Sequence, residues 1–229
     1  MLLIASYPRS GNTLVRHVIE SCYGVKTYTS YREGAIDNRI GADRFIGDAP
    51  QPVEFAKTHE LWAADEDIPA IYIVRDGRGA IVSYARYLAH DVCPKSADSE
   101  SMYLDYLTQL VTATEPPWCW GAHVMAWANR SGPTVYVRYE DLLIDPVNIV
   151  CDALAPFIDR EPDRTKTPPP FAQLHAENPA FYRAADVTEW RRELPVYLEV
   201  EFWSRNETAM REFGYTETGA LAPMTGGCL

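Results

Sequence analysis

Short apolar runs that alternate with amphipathic helical stretches are the feature that most constrains the fold. The clearest runs are residues 2–6, 68–74 and 134–138, and a weaker one covers residues 53–57. Each has the length of a buried strand and is bounded by turn residues or by a helical pattern. Strands that alternate with helices favour parallel pairing, because parallel neighbours need a crossover that covers the sheet. The sequence therefore predicts an α/β fold with a mostly parallel central sheet flanked by helices.

The helical stretches fall between these strand candidates. A helical pattern at residues 13–22 follows the first strand, and a helix expected at residues 196–213 ends at Gly214, a residue that commonly terminates helices. Residues 98–130 are helical in pattern without an intervening strand, which predicts an extra helical layer near the site. Residues 163–170 contain three consecutive prolines, and we expect an extended linker there.

Length and composition indicate one globular domain. The chain has 229 residues, of which 47% are apolar and 23% charged, the usual balance of a protein with a packed core. We expect residues 1–214 to form a single domain, since a second would be cramped at this length. Residues 215–229 are rich in Gly, Thr and Pro, and we expect a flexible C-terminal tail.

Charge, hydropathy and cysteine spacing exclude several classes of protein. A net charge of -11 argues against non-specific nucleic-acid binding, which needs a basic surface. No apolar run approaches the roughly 20 residues that span a bilayer, and the N-terminal run is too short for a signal peptide, so we expect a cytoplasmic protein. Neither a disulfide framework nor a metal site is predicted, because no cysteine has a partner at CxxC or zinc-finger spacing. The cysteines are Cys22, Cys93, Cys119, Cys151 and Cys228.

A loop able to bind phosphate lies between the first strand and the first helix. Its residues 7–13 read Tyr-Pro-Arg-Ser-Gly-Asn-Thr. Backbone N–H groups at a helix start form an anion cradle, to which Arg9 adds a cation. Further donors come from Ser10, Asn12 and Thr13. The loop is not a Walker A motif, because the GxxxxGK[ST] spacing is absent. An ordinary strand-to-helix turn capped by Ser10 or Asn12 is the alternative.

Three later segments continue the pattern that this loop begins. They are Lys57-Thr58-His59, the segment Ile-Val-Arg-Asp-Gly-Arg-Gly-Ala-Ile-Val-Ser-Tyr at residues 73–84, and Val-Arg-Tyr-Glu-Asp-Leu at residues 137–142. With the loop they resemble, in the same order, four motifs of the sulfotransferases that use 3′-phosphoadenosine 5′-phosphosulfate (PAPS). The resemblance implies a P-loop-like sulfotransferase fold. It also implies an enzyme that moves a sulfuryl group from PAPS to a hydroxyl or amine of a small acceptor, without a metal.

The resemblance assigns a role to each matching residue. Arg9, with the backbone of the loop, would bind the 5′-phosphosulfate and stabilise the charge that grows on the bridging oxygen. Arg75 and Ser83 would grip the 3′-phosphate, and Tyr139 would lie by the adenine. Lys57 would help to stabilise the transferring group. The implied donor-binding residues are Arg9, Ser10, Gly11, Asn12, Thr13, Arg75, Ser83, Tyr139 and Arg183.

The C-terminal part of the family pattern is incomplete. Arg183 and Trp190-Arg191 resemble its RKGxxGDWK segment, but Ala184-Ala185 stands where Lys and Gly are usual. Thr188 stands where the second Gly is usual, which leaves Arg183 as the carry-over to the 3′-phosphate. In the phosphate loop, Arg9 replaces the usual Lys, a change that keeps the charge but alters its geometry.

His59 is the general base that we expect, since imidazole titrates near neutral pH and can take the proton of an attacking hydroxyl. Activity should then fall on acidification through the ordinary histidine range. Glu60, the next residue, is the main competitor, because a carboxylate serves as base in some carbohydrate sulfotransferases. The other histidines have no comparable context: His17, His90, His123 and His175.

The acceptor and the class of function leave alternatives open. A P-loop kinase or hydrolase would need a Walker-B carboxylate, whereas this strand ends in Arg75; that arginine could also be an exposed partner of Asp76. A nucleotide-binding protein that has lost catalysis is the non-enzymatic alternative. Several aromatic residues could line a pocket for an aromatic or lipidic alcohol, or could be ordinary core. They are Trp62, Tyr84, Tyr87, Tyr103, Trp118, Trp120 and Phe171.

Overall fold

The computed structural model describes residues 1–30, 44–45, 54–61, 67–92, 99–179, 181–183 and 186–225. Its strands are β1 (Leu2–Ser6), β2 (Tyr28–Ser30), β3 (Arg44–Phe45), β4 (Phe55–Thr58), β5 (Ala70–Val74) and β6 (Thr134–Arg138). They form one sheet in the order β3-β2-β4-β1-β5-β6, and each neighbouring pair is parallel. The predicted α/β class with a mostly parallel sheet is confirmed.

Helices connect the strands and cover the sheet. Within the described residues they are α1 (Asn12–Tyr23), α2 (Gly77–Tyr87), α3 (Ser99–Thr112), α4 (Trp120–Ala128), α5 (Tyr139–Leu142), α6 (Pro146–Leu154), α7 (Phe171–Glu177), α8 (Trp190–Glu193) and α9 (Val196–Glu212). A π-helical turn at Leu88–Val92 extends α2. The helix predicted to stop at Gly214 does so, because Gly214 has a φ of 77° that other residues rarely adopt.

Alternate residues of β1 pack into two hydrophobic layers, one on each face of the sheet. Leu3 and Ala5 belong to the layer that contains α3, α4 and α9, whereas Leu2 and Ile4 belong to the layer formed with α1 and α6. All five residues of β1 are buried, as expected for a parallel strand that is covered on both faces. This double burial explains why the strand reads as a continuous apolar run in the sequence.

The C-terminal residues pack against the domain up to the end of the described region. The Tyr215 side chain is 1% exposed and its hydroxyl donates to Glu140 Oε2 over 2.8 Å. The fully buried Arg78 donates to the backbone carbonyls of Thr216 and Glu217. These residues contact the rest of the chain directly, and the boundary at residue 214 with a flexible tail at residues 215–229 remains a prediction.

Some sequence-based expectations lie outside the described residues. These are the ones that concern Trp62, Cys93, Ala184, Ala185 and Cys228. Among the helices that the structure does describe, none combines the length and apolar character needed to cross a membrane. The cytoplasmic location remains a prediction from the sequence.

Candidate active site

The carboxyl ends of adjacent strands bring the predicted motifs together at one edge of the sheet. The loop at residues 7–13 follows β1, His59 follows β4, Arg75 follows β5, and Tyr139 follows β6. β1 lies between β4 and β5, so the chain crosses to opposite sides of β1 as it continues. In parallel α/β sheets, ligands bind in the crevice at such a point.

Two residues of the loop have left-handed backbone conformations that shape the turn into α1. Gly11 has a φ of 97°, and Arg9 has a φ of 65°, which is uncommon for a residue with a side chain. A Cβ atom at Gly11 would lie 2.4 Å from Cδ2 of Tyr139, so the ring of Tyr139 packs directly on the loop backbone. Glycine at position 11 is therefore required both by the backbone angle and by the approach of Tyr139.

Polar side chains of the loop are buried, and one has no partner in the described part of the chain. Ser10 is 1% exposed and its hydroxyl has no hydrogen-bond partner there. Asn12 points back towards β1, where its Nδ2 donates to the carbonyl of Ile4 over 2.8 Å. Burying an unpaired hydroxyl costs free energy, so Ser10 is a candidate donor for an anion in this loop. Asn12 instead joins the start of α1 to the strand before it.

The Arg9 side chain extends to α2. Its Nε donates to the Ser83 hydroxyl over 3.3 Å, and its Nη2 donates to the carbonyl of Phe181. The guanidinium Cζ lies 4.2 Å from the centroid of the Phe181 ring and 5.4 Å from that of Tyr87. The residue predicted for the 5′-phosphosulfate therefore contacts Ser83, a residue predicted for the 3′-phosphate.

The Arg75 side chain contacts the backbone of the same loop. Its Nη1 donates to the Arg9 carbonyl over 2.9 Å, and its Cζ lies 4.6 Å from the centroid of the Tyr139 ring. Asp76 is engaged elsewhere, because its carboxylate accepts two hydrogen bonds from the guanidinium of Arg78. Arg75 is 6% exposed, so the alternative in which it is an exposed partner of Asp76 does not hold.

His59 is oriented by the end of β1. Its Nδ1 donates to the Ser6 carbonyl over 2.7 Å, so the lone pair that could accept a proton is on Nε2. Burial lowers the pKa of His59 well below its usual range, and the positive charge of Lys57 lowers it further; the Ser6 carbonyl opposes both effects. His59 is therefore neutral at pH 7. Protonation should impair the base at lower pH than the sequence alone suggests.

The two neighbours of His59 in the predicted site differ in burial. Lys57 is 5% exposed within β4, and its charge acts on His59 as described. Glu60 is partly buried, and its backbone N–H donates to the Thr58 hydroxyl over 3.0 Å. The choice between His59 and Glu60 as base remains a prediction.

Sequence reasoning missed a second histidine beside the site. His123, on α4, is fully buried, and its Nε2 donates to the backbone carbonyl of His59 over 3.0 Å. The Tyr72 hydroxyl lies 2.9 Å from its Nδ1. No local spacing could have indicated this contact, because 64 positions separate the two histidines.

Known proteins resemble this chain over most of its length. No protein-family model matches it. Sulfotransferase 1E1 of Rattus norvegicus is 23% identical over 92% of this chain and 83% of its own length, and the Homo sapiens protein of the same name is 24% identical over 92% and 84%. The crystal structure of mouse sulfotransferase SULT7A1, complexed with PAP, has a TM-score of 0.63 at 17% identity and covers 92% of this chain and 83% of that one. Over most of its length the chain is therefore similar to sulfotransferases.

A shorter match has higher identity. A WSCD family member from Aedes aegypti is 31% identical over 61% of this chain and 44% of its own length. The fold likeness to the mouse structure is consistent with the predicted P-loop-like sulfotransferase fold.

Arg183 is placed differently from the other predicted donor-binding residues of this chain. Its Nη2 lies 2.7 Å from Glu189 Oε1 and 3.0 Å from Glu193 Oε1. Glu193 also accepts from Arg86 over 2.7 Å. These two carboxylates offset the charge of Arg183, and its role towards the 3′-phosphate remains a prediction.

The aromatic candidates for the acceptor pocket separate into two groups. Tyr103 and Trp120 are each 1% exposed and belong to the hydrophobic core. The Tyr84 ring lies between those of Tyr87 and Trp118, nearly parallel to both, with centroid separations of 6.4 and 6.1 Å. Trp118 is 38% exposed at the outer end of this row.

Phe171 stands apart from that aromatic row. It lies on α7, is 40% exposed, and stacks on His175 of the same helix at 5.8 Å between centroids. Among the residues described, no group of three or more His, Cys, Asp or Glu side chains is arranged to hold a metal ion.

Proposed function

We propose that this chain transfers a sulfuryl group from PAPS to a hydroxyl or amine of a small acceptor. The observation that carries the proposal is that the candidate base and the anion loop are contiguous. His59 is hydrogen-bonded to Ser6, the next residue begins the loop, and Arg9 within the loop contacts Ser83. A bound PAPS would supply the sulfuryl group, and 3′-phosphoadenosine 5′-phosphate would be the leaving group.

The loop residues fit an anionic donor. Ser10 provides a buried hydroxyl that has no partner among the described residues, and the first N–H groups of α1, which begins at Asn12, have no partner within the helix. Arg9 and Arg75 bring two guanidinium groups to one loop in a chain whose net charge is -11, so the positive charge is local. We propose that Arg75, Ser83 and Ser10 hold the phosphates of the donor.

The chemistry asked of the protein is mainly positioning and charge stabilisation, as in phosphoryl transfer. The neutral His59 would accept the acceptor proton at Nε2, because its Nδ1 already donates to Ser6. Arg9 and Lys57 would stabilise negative charge that develops on the oxygens of the transferring group and the leaving group. The ring of Tyr139, which covers Gly11, would provide a face for the adenine.

We propose an aromatic alcohol as the acceptor class. The row of Trp118, Tyr84 and Tyr87 runs from the exposed surface to Arg9, which lies 5.4 Å from the Tyr87 centroid. An aromatic ring stacked on this row would contribute apolar contact and favourable ring geometry. A phenol bound in this way would bring its hydroxyl towards the loop, and a lipidic alcohol is the competing acceptor.

The proposal is tested by incubating the chain with radiolabelled PAPS and a panel of phenols, aliphatic alcohols and amines. We expect label on the phenols and stabilisation of the fold by 3′-phosphoadenosine 5′-phosphate (PAP). Magnesium-dependent ATP turnover without stabilisation by PAP would instead indicate a kinase or hydrolase. Label confined to aliphatic alcohols would keep the sulfotransferase activity and overturn the aromatic acceptor.

A pair of variants tests the aromatic row itself. Trp118→Ala should raise KM for a phenol by about 2- to 12-fold, since an aromatic contact is worth about 0.5–1.5 kcal/mol beyond the area it buries, while leaving the affinity for PAP unchanged. Phe171→Ala is the matched control, because Phe171 has almost the same exposure, at 40% against 38%, but lies outside the row. Equal effects of the two substitutions on KM would remove Trp118 from the acceptor site.

A further inference from the structure

A buried chain of hydrogen bonds leads from β5 through α4 to His59. The Tyr72 hydroxyl lies 2.9 Å from Nδ1 of His123, and Nε2 of His123 lies 3.0 Å from the His59 carbonyl. Tyr72 and His123 are both 0% exposed. In the proposed function, neither of these side chains binds the donor or the acceptor.

The direction of each hydrogen bond follows from its acceptors. A backbone carbonyl only accepts, so Nε2 of His123 carries the proton and its Nδ1 carries the lone pair. Tyr72 must then donate its hydroxyl proton to Nδ1. The His59 carbonyl therefore sets the tautomer of His123, and the Tyr72 hydroxyl stabilises that tautomer by donating to Nδ1.

The surroundings of His123 keep it neutral. Burial lowers its pKa to about 4, and the groups that face it are Tyr72, the His59 carbonyl and the ring of Tyr7, which approaches edge-on at 5.6 Å. With this lowered pKa His123 is the neutral imidazole at pH 7, and its Nδ1 has a lone pair for the Tyr72 proton.

His59 is consequently held at two points. Its ring donates to Ser6 on β1, and its carbonyl accepts from His123 on α4. These bonds anchor the main chain and the ring to two different elements, which restricts the direction of Nε2. A displacement of a reacting group by about 1 Å can cost about 10²-fold in rate, so this restriction matters for catalysis.

We propose that His123 is a positioning residue for His59 and that Tyr72 stabilises the tautomer in which His123 can do this. The inference rests on the proposed role of His59 as base. His123 does not touch substrate in this proposal; it acts through the His59 main chain.

Three substitutions separate the parts of the chain of hydrogen bonds. His123→Phe keeps a ring but removes the donor, and should lower kcat by about 10- to 100-fold with unchanged affinity for PAP. His123→Gln can place an amide N–H near the position of Nε2, so it should recover much of that loss. Tyr72→Phe removes one hydroxyl and leaves His123 free to change tautomer, so we expect a smaller fall in kcat than for His123→Phe.

Tyr136→Phe is the matched control. The Tyr136 hydroxyl donates to the Trp127 carbonyl on α4 over 2.8 Å, and its ring packs 6.0 Å from that of Tyr72. The substitution therefore removes one tyrosine hydrogen bond to the same helix without touching the histidines. It should cost similar stability to Tyr72→Phe and leave kcat unchanged.

Nitrogen NMR of the histidine rings provides a readout that does not depend on activity. In the wild-type chain, His59 should be mainly the Nδ1-protonated tautomer, and this population should fall in His123→Phe and Tyr72→Phe but not in Tyr136→Phe. If Tyr72→Phe matches Tyr136→Phe in both kcat and His59 tautomer, the positioning role is overturned, even where His123→Phe fails to fold. If the wild-type chain forms no sulfated product, the proposed function fails, and the NMR result alone still decides the positioning role.

Discussion

Replacing Arg75 by alanine should weaken binding of PAP much more than binding of adenosine 5′-phosphosulfate, which has no 3′-phosphate. The Arg75 side chain is 6% exposed and lies against α2, with Nε 3.2 Å from where a Cβ of Gly79 would be. A charge-assisted hydrogen bond to a phosphate contributes about 1.5–3 kcal/mol. This corresponds to a loss of about 10- to 150-fold in PAP affinity.

Adenosine 5′-phosphosulfate should also lose some affinity, because Arg75 donates to the Arg9 carbonyl and so supports the loop. A hydrogen bond to a neutral carbonyl contributes about 0.5–1.5 kcal/mol, so its loss should lower the affinity by at most about 10-fold. The difference between the two nucleotides therefore isolates the 3′-phosphate contact. Isothermal titration calorimetry of both nucleotides with the wild-type and Arg75→Ala chains measures it directly.

Arg160→Ala is the control for loss of charge. Arg160 pairs with Glu54, which precedes β4 and so lies at the opposite edge of the sheet from the loop. The Arg160→Ala substitution removes the same charge and should leave the affinities for PAP and for adenosine 5′-phosphosulfate unchanged. Equal losses for the two nucleotides in Arg75→Ala would refute the assignment of Arg75 to the 3′-phosphate.

Three further results are expected. His59→Ala should lower turnover by about 10²–10⁴-fold with unchanged PAP affinity in calorimetry; if it stays active while Glu60→Gln is inactive, the base is the carboxylate. Since burial lowers the pKa of His59, wild-type kcat/KM should stay level on acidification through the ordinary histidine range and fall below it; a fall centred near pH 6.5 would contradict this pKa direction. Gly11→Ala should weaken PAP binding, because the added Cβ would lie 2.4 Å from Cδ2 of Tyr139. Gly24→Ala is its control: Gly24 has a φ of 66° and nothing lies within 4 Å of the added Cβ, so this substitution should reduce stability without changing PAP affinity.

The sheet was predictable because its central strands are buried on both faces. Residues 2–6 and 134–138 coincide with β1 and β6, since a doubly covered parallel strand must be apolar along its length. β2 and β3 were not predicted, because strands of three and two residues carry too little periodicity to stand out. Strand length and burial thus decide which elements a single sequence indicates.

Some features of the candidate site were also predictable from the sequence, and others were not. The loop, His59 and Arg75 follow strands, so their proximity was implied by the parallel order of the sheet. The contact of His123 with His59 depends on how α4 packs, and the pairing of Arg183 with Glu189 depends on local ion pairs. Neither has a signature in the order of residues, because both are set by tertiary packing.

The central claim is tested most directly by measuring both products of one reaction. Wild-type chain is incubated with PAPS and a phenol that the acceptor panel identifies, and PAP and sulfated phenol are quantified together by mass spectrometry. We expect both products to form in equal amounts and to require the phenol. His59→Ala, folded and able to bind PAP, should form neither at a comparable rate. PAP formation without sulfated phenol, at the same rate whether or not the phenol is present, would contradict this expectation.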